Sequence, residues 1–225
     1  GKRVREERFS AARRAVAAAS ERGADFILVA GDLFEDNAVD RALVRRVVDI
    51  LGRASCPVFV IPGNHDPLVP GSVWEDRSWE AARNVVVFRE SSPHELPGVT
   101  LYPCPLLAKK SDEDPTAWIE AEGGDRVRIG LAHGSVEGAP IDEWDNPIPR
   151  DAATRSGLDY LALGHWHSFA VFGERTAYSG THEQTSFGER DSGNVLIVEI
   201  DGPGSVPAIS PVRTGGVSWV SMDER

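Results

Sequence analysis

The sequence predicts a mixed α/β domain in which two β-sheets pack as a sandwich flanked by helices. Three observations predict it. Short apolar runs of strand length alternate with helical patterns in the first part of the chain, and a glycine-containing polar loop follows each run. The last third instead reads as strands joined by Gly and Pro turns with no helix between them. At 225 residues, with 41% apolar and 26% charged content, the chain can bury one full core without staples, so a single domain over residues 1–225 is expected.

The elements follow in order. Residues 5–22 carry Phe9, Ala12, Val16 and Ala19 at helical spacing, and Gly23 supplies a C-terminal cap. DFILVA (25–30) is a buried strand ending at Gly31-Asp32, and Leu43, Val44, Val47, Ile50 and Leu51 mark a second helix. PVFVI (57–61) is another buried strand, ending at Pro62-Gly63-Asn64-His65-Asp66. Strand, loop and helix in repetition predict strands that run parallel at least in part, and ligands of such sheets bind beyond the strands' carboxyl ends.

The middle is less regular. Residues 67–83 read as a loop and short helix, VVVF (85–88) and TLYPCP (100–105) as strands, and a helix is expected after Asp114-Pro115. RIGLAH (128–133) and YLALGH (160–165) are apolar runs that end in histidine loops. AVF (170–172), TAYSG (176–180), NVLIVEID (194–201) and AISPV (208–212) are expected to complete a second, antiparallel sheet.

Composition narrows the function classes. The net charge of −11, from 35 acidic and 24 basic residues, argues against unaided non-specific binding of nucleic acid. It argues less against a metalloenzyme, because bound cations reverse the local field. No apolar stretch approaches a membrane span and no signal peptide opens the chain. Cys56 and Cys104 each sit beside proline in an apolar run and read as reduced core residues, so a cytoplasmic location is expected.

A lone Gly-Asp or His-Gly is ordinarily only a turn. Here four strand ends deliver Asp, Asn or His beside glycine, and four of the six histidines are among them. Carboxylate, amide carbonyl and imidazole without thiolate suit divalent ions such as Mn²⁺, Fe²⁺ or Zn²⁺, with Mg²⁺ also open. Two such ions about 3.5–4 Å apart can clamp the attacking and leaving oxygens of a phosphoester, with hydroxide as the nucleophile. An unligated histidine on the same loops can serve the leaving oxygen as a proton source or positive neighbour.

GDLF (31–34), PGNHD (62–66), LAHG (131–134) and GHWH (164–167), in this order, resemble the successive motifs of calcineurin-like metallophosphoesterases. The resemblance implies a four-layer α/β/β/α fold and a two-metal hydrolase. It assigns Asp32 as the bridging carboxylate, Asn64, His133, His165 and His167 as further ligands, and His65 as a catalytic non-ligand. Asp66 is expected to orient His65. Within the superfamily, REERFSAARRAV, ADFILVAGDLFED, CPVFVIPGNHD and YSGTHEQTSFGE resemble the SbcD-type DNA-repair nucleases. That branch implies a manganese-dependent exonuclease or endonuclease acting on DNA. The branch also implies a capping domain, not expected within these residues, and a coiled-coil SMC-like ATPase partner. Oligomeric state stays open.

The sequence departs from the family at one place. An Asp-x-His motif should stand on a first strand shortly before Arg5, where only GKRV is found. One metal site, formed by Asp32, Asn64, His133 and His165, is therefore complete, while the other retains Asp32 and His167. Either that strand lies upstream of Gly1, the expectation favoured because its loss would open the sheet centre, or the chain is a natural variant poor in metal. Three functions follow: a DNA nuclease, a small-molecule phosphodiesterase or nucleotide pyrophosphatase, and a metal-poor protein-binding scaffold.

Other residues read more plainly. Trp74, Trp79, Trp118 and Trp144 are expected to anchor loops rather than stack on bases, and Trp166 to pack beside the site. His94 is placed in a loop and His182 at the surface. Arg41, Arg45 and Arg46 read as a solvated helix face, and Lys109 and Lys110 carry no assignment.

Overall fold

The computed structural model describes residues 2–121, 123–139, 145–189 and 191–219. Helix α1 (Lys2–Glu21) leads to strand β1 (Ile27–Ala30), and α2 (Arg41–Leu51) leads to β2 (Val58–Ile61). Two 3₁₀ turns (Val73–Glu75 and Arg77–Ala81) precede β3 (Val85–Val87). Then come β4 (His94–Leu96), β5 (Val99–Pro103), β6 (Val127–His133), β7 (Ser135–Val136) and β8 (Pro147–Ile148). A short α3 (Ala152–Arg155) precedes β9 (Tyr160–Gly164), β10 (Ala170–Phe172), β11 (Thr176–Tyr178), β12 (Asn194–Glu199) and β13 (Ala208–Arg213).

Two sheets dominate. One is three-stranded and wholly parallel, in the order β1-β2-β3; the other is six-stranded, in the order β10-β11-β9-β6-β5-β4. Period-two alternation explains how they stack. Val58 and Val60 face the helices with Val16, Val44 and Val48, whereas Phe59 and Ile61 face the second sheet with Leu101, Ile129, Leu131 and Tyr160. On the far side of that sheet, Ala132, Leu161 and Leu163 meet Ile119, Ala152, Ala153 and Leu158. Strands buried on both faces must be continuously apolar, which is why VFVI and YLAL carry no alternating polar residues. Each fully buried Val, Leu or Phe adds roughly 1.5–3 kcal/mol.

The helix ends follow local chemistry. Asp40 caps α2 by accepting from the Ala42 N–H at 2.8 Å, and Gly23 ends α1 at φ +65° as expected. Arg46 is more than a solvated face: it pairs with Glu6 and lies 3.5 Å over the Phe9 ring, joining α2 to α1.

Three expectations are corrected. Among the described residues no helix follows Asp114-Pro115 in this stretch: the Asp114 carboxylate accepts from Thr116 N and Oγ1 at 2.8 and 2.6 Å, closing a single turn. Around the two sheets, α1 and α2 pack on one side, and α3 with loops covers the other. The last third does not all join the second sheet: β10 and β11 do, but β12 and β13 pair with each other as a separate ribbon. His94 is not in a loop but opens β4, its ring 5.4 and 5.2 Å from those of Phe59 and Phe88.

The tryptophans act as anchors. Trp74 and Trp79 are buried and stacked, with indole N–H groups bonded to the Asp66 and Val73 carbonyls. Trp118 and Trp166 pack on the core beyond the second sheet, and Trp144 lies outside the described residues.

Candidate metal centre

The carboxyl ends of β1, β2, β6 and β9 meet at one edge of the sandwich, and each turns sharply through glycine. A Cβ on Gly63 would overlap the Asp32 carboxylate, and one on Gly164 would overlap the Ala30 carbonyl, so only glycine lets these loops close. Asp32 and His165 themselves adopt left-handed backbone, at φ +52° and +105°. Such conformations cost energy in non-glycine residues and recur where function demands a particular side-chain direction.

Asp32, His133 and His165 come together, each offering one ligand atom within 4.8 Å of the others. His133 is fully buried. Its Nδ1 lies 2.7 Å from the Ala30 carbonyl, an acceptor, so Nδ1 carries the proton and Nε2 presents a lone pair. That Nε2 faces two oxygens, Asn64 Oδ1 at 2.8 Å and Asp32 Oδ2 at 3.2 Å. His165 Nδ1 lies 3.3 Å from the same Asn64 oxygen.

A His133 lone pair facing two oxygens calls for a cation between them, and with His165 beside them these residues fit a divalent ion. The electrostatics agree. Burial pushes the Asp32 carboxyl up, but the His133 bond and charge outweigh it and hold the group below its usual range. Burial likewise pulls His133 down, and Asp32 outweighs it in turn, raising the imidazole. Asp32 and His133 thus draw positive charge to the space between them.

The remaining expected residues are placed as follows. His65 is half-buried; its N–H donates to Asp32 Oδ1 at 2.9 Å and its Nδ1 lies 3.1 Å from the Glu35 carbonyl. The Glu35 carbonyl, and not Asp66, holds that ring. Asp66 is fully buried and accepts from Gly63 N at 2.7 Å and Phe34 N at 3.0 Å, tying the first two loops together. Desolvation raises its carboxyl to about 6 against those two N–H groups. His167 is not gathered into the group: its side chain is exposed, with Nδ1 3.0 Å from Glu189 Oε1.

Sequence reasoning missed three contributors. Glu189 is braced by Thr185 N, Thr185 Oγ1 and Ser186 Oγ, and it lies in the YSGTHEQTSFGE stretch, whose resemblance assigned it no role. Tyr178, in the same stretch, donates to the Gly134 carbonyl at 2.5 Å and accepts from Val136 N at 2.9 Å, fastening the loop after His133. Asp145, near His165, follows no motif and carried no signal.

The comparisons with known proteins bear on this geometry. Residues 5–169 match the family model described as calcineurin-like phosphoesterase. The chain belongs to that family, whose members are metal-dependent phosphoesterases with a dinuclear centre. It is 30% identical over 181 residues to the "Uncharacterized metallophosphoesterase YhaO" of Bacillus subtilis (strain 168), covering 75% of this chain and 43% of that protein. The chain thus spans less than half the length of this curated relative. It also resembles in fold the crystal structure of TT1561 of Thermus thermophilus, with a TM-score of 0.57 at 13% identity, covering 91% and 92% of the two chains.

Proposed function

We propose that this chain is the hydrolytic domain of a cytoplasmic phosphodiesterase that cleaves DNA, a nuclease of the SbcD-type branch. The observation that carries hydrolysis is the gathering of Asp32, Asn64, His133 and His165 at one strand edge, with His65 on the same loops. When bound, divalent ions supply positive charge to phosphate oxygens and lower the pKa of coordinated water, and manganese is the ion favoured here.

The chain's own residues do the rest. Asp32 and Asn64 present oxygens, and His133 and His165 present ring nitrogens, from four loops that glycine lets close. His65 takes part in proton movement: with Nδ1–H donated to the Glu35 carbonyl, a second proton carried on Nε2 passes to the leaving oxygen and leaves the neutral, Nδ1-protonated ring. The His65 backbone N–H on Asp32 Oδ1 ties the second loop to the first.

DNA as substrate is supported by the branch-like stretch YSGTHEQTSFGE, whose Tyr178 and Glu189 reach the His133 loop and His167. The net charge of −11 favours a second reading, a small phosphodiester. Linear DNA and bis(p-nitrophenyl) phosphate should be assayed side by side with Mn²⁺ on the full-length protein. Turnover of the small ester alone would overturn the nuclease reading. His65→Ala is expected to lower kcat by roughly 10²–10⁴ while Mn²⁺ stays bound; full activity would remove His65 from its role.

A further inference from the structure

Asp145 is a buried carboxylate, and neither of its oxygens accepts a hydrogen bond among the described residues. Such a group is costly unless something of opposite polarity faces it. What faces it is His165: Oδ1 lies 3.4 Å from His165 Nε2. The other ring nitrogen of His165, Nδ1, points at Asn64 Oδ1 in the proposed metal group. The ring therefore spans from the ligand cluster to a carboxylate behind it.

The backbone of Asp145 is already secured without its side chain. Its N–H reaches Ser135 Oγ at 3.4 Å, and its carbonyl accepts from Ser135 N at 3.2 Å. The carboxylate is thus not needed to hold this loop to β7. Meanwhile His165 has its backbone set by the glycine turn at Gly164 and one ring edge set by His133, 5.3 Å away at 75°. Those contacts place the ring without deciding which nitrogen carries the proton.

We propose that Asp145 is a positioning residue for His165: its carboxylate accepts the Nε2–H, so that Nδ1 remains a lone pair aimed into the Asp32–Asn64–His133 cluster. The inference rests on the metal-centre reading above. A carboxylate behind a ligand histidine selects the tautomer and raises the basicity of the ligating nitrogen. Without Asp145 the proton distributes over both nitrogens, and the Nδ1-protonated form must lose its proton before it can ligate.

The test uses the full-length protein, Asp145→Ala and Asp145→Asn. Long-range ¹⁵N–¹H imidazole spectra of the metal-free wild type at pH 8 should show His165 protonated at Nε2. In Asp145→Ala that preference should disappear, and calorimetry should show Mn²⁺ binding weaker by about 10–100-fold. Asp145→Asn, which keeps an oxygen acceptor, should lose less than Asp145→Ala. At saturating Mn²⁺ the kcat of both variants should return toward wild type. A wild-type His165 protonated at Nδ1 overturns the proposal even if Asp145→Ala fails to fold. Unchanged Mn²⁺ affinity in a folded Asp145→Ala also overturns it. If wild type itself binds no Mn²⁺, the metal-centre reading fails, while the tautomer spectrum still decides what Asp145 does to the ring.

Discussion

Strands β6 and β9 run side by side in parallel, and the charged groups at their two ends are arranged on opposite rules. At the start of the pair, Asp159 accepts from Arg128 Nε at 3.1 Å and Arg128 Nη2 at 2.9 Å, and from Gly204 N at 2.8 Å. Arg175 adds a second positive charge at 3.7 Å. Every acceptor there meets a donor. At the far end, His133 turns a lone pair toward Asp32 and Asn64, and the Asp145 carboxylate is faced by a ring nitrogen, His165 Nε2 at 3.4 Å, in place of a guanidinium. One end is built to be complete by itself; the other is built to be completed by a cation.

The contrast breaks most visibly under paired substitutions. Asp159→Ala leaves two guanidinium groups without their carboxylate, and unfolding in urea should show a loss of about 3–5 kcal/mol. Mn²⁺ affinity in the same variant should not change. Asp32→Ala should do the reverse, weakening Mn²⁺ binding by more than about 100-fold, beyond the effect of outer partners, with a smaller change in stability. If Asp159→Ala lowers Mn²⁺ affinity as much as Asp32→Ala does, the two ends are not independent.

The pH dependence contributed by Asp159 and by Asp66 should have opposite sign. Burial works to raise Asp159, but its Arg128 bonds outweigh this and hold it below its usual range. Its stabilisation is therefore present above the unfolded-state pKa and lost as pH falls through the lower folded value. Asp66, at the metal end, is raised to about 6, so its contribution is present below its unfolded value and lost as pH rises through 6. That two-unit shift corresponds to about 3 kcal/mol lost between pH 4 and 7. Urea unfolding of EDTA-treated protein at both pH values should show this slope flattened in Asp66→Asn. An unaltered slope would mean the carboxyl ionises freely.

The smallest effect sharpens the point that burial, not the number of ion pairs, makes the Asp159 end strong. Arg155 and Asp114 meet at 2.8 Å, yet the arginine side chain is 45% exposed. Arg155→Ala should change stability by less than about 1 kcal/mol in the same urea assay. A loss matching that of Asp159→Ala would remove the distinction.

Much of the fold was legible because its signals are local. VFVI and YLAL are apolar on both faces, and the helices before β1 and β2 show their own periodicity. The misreadings fell where local signals are weak. His94 looked like a loop residue because a three-residue edge strand leaves almost no pattern, and its strand exists only because β5 is there to pair with it. The helix expected after Asp114 had a start signal, but the chain beyond it lacked an apolar stripe to bury.

The sequence by itself determined which side chains can reach the site: Asp32, Asn64, His65, His133 and His165 stand directly after apolar strands, beside glycines, and a parallel arrangement puts those strand ends at one edge. Tertiary structure alone decided what each of them faces. The Ala30 carbonyl leaves Nε2 as the His133 nitrogen that faces Asp32 and Asn64, and the Glu35 carbonyl holds His65. Asp66 binds backbone, His167 stands apart with Glu189, and Asp145 lies behind His165. These partners come from distant parts of the chain or from loops with no repeating pattern. Strand register and the packing of one sheet on the other bring them together, and neither is written in the spacing of residues along the sequence.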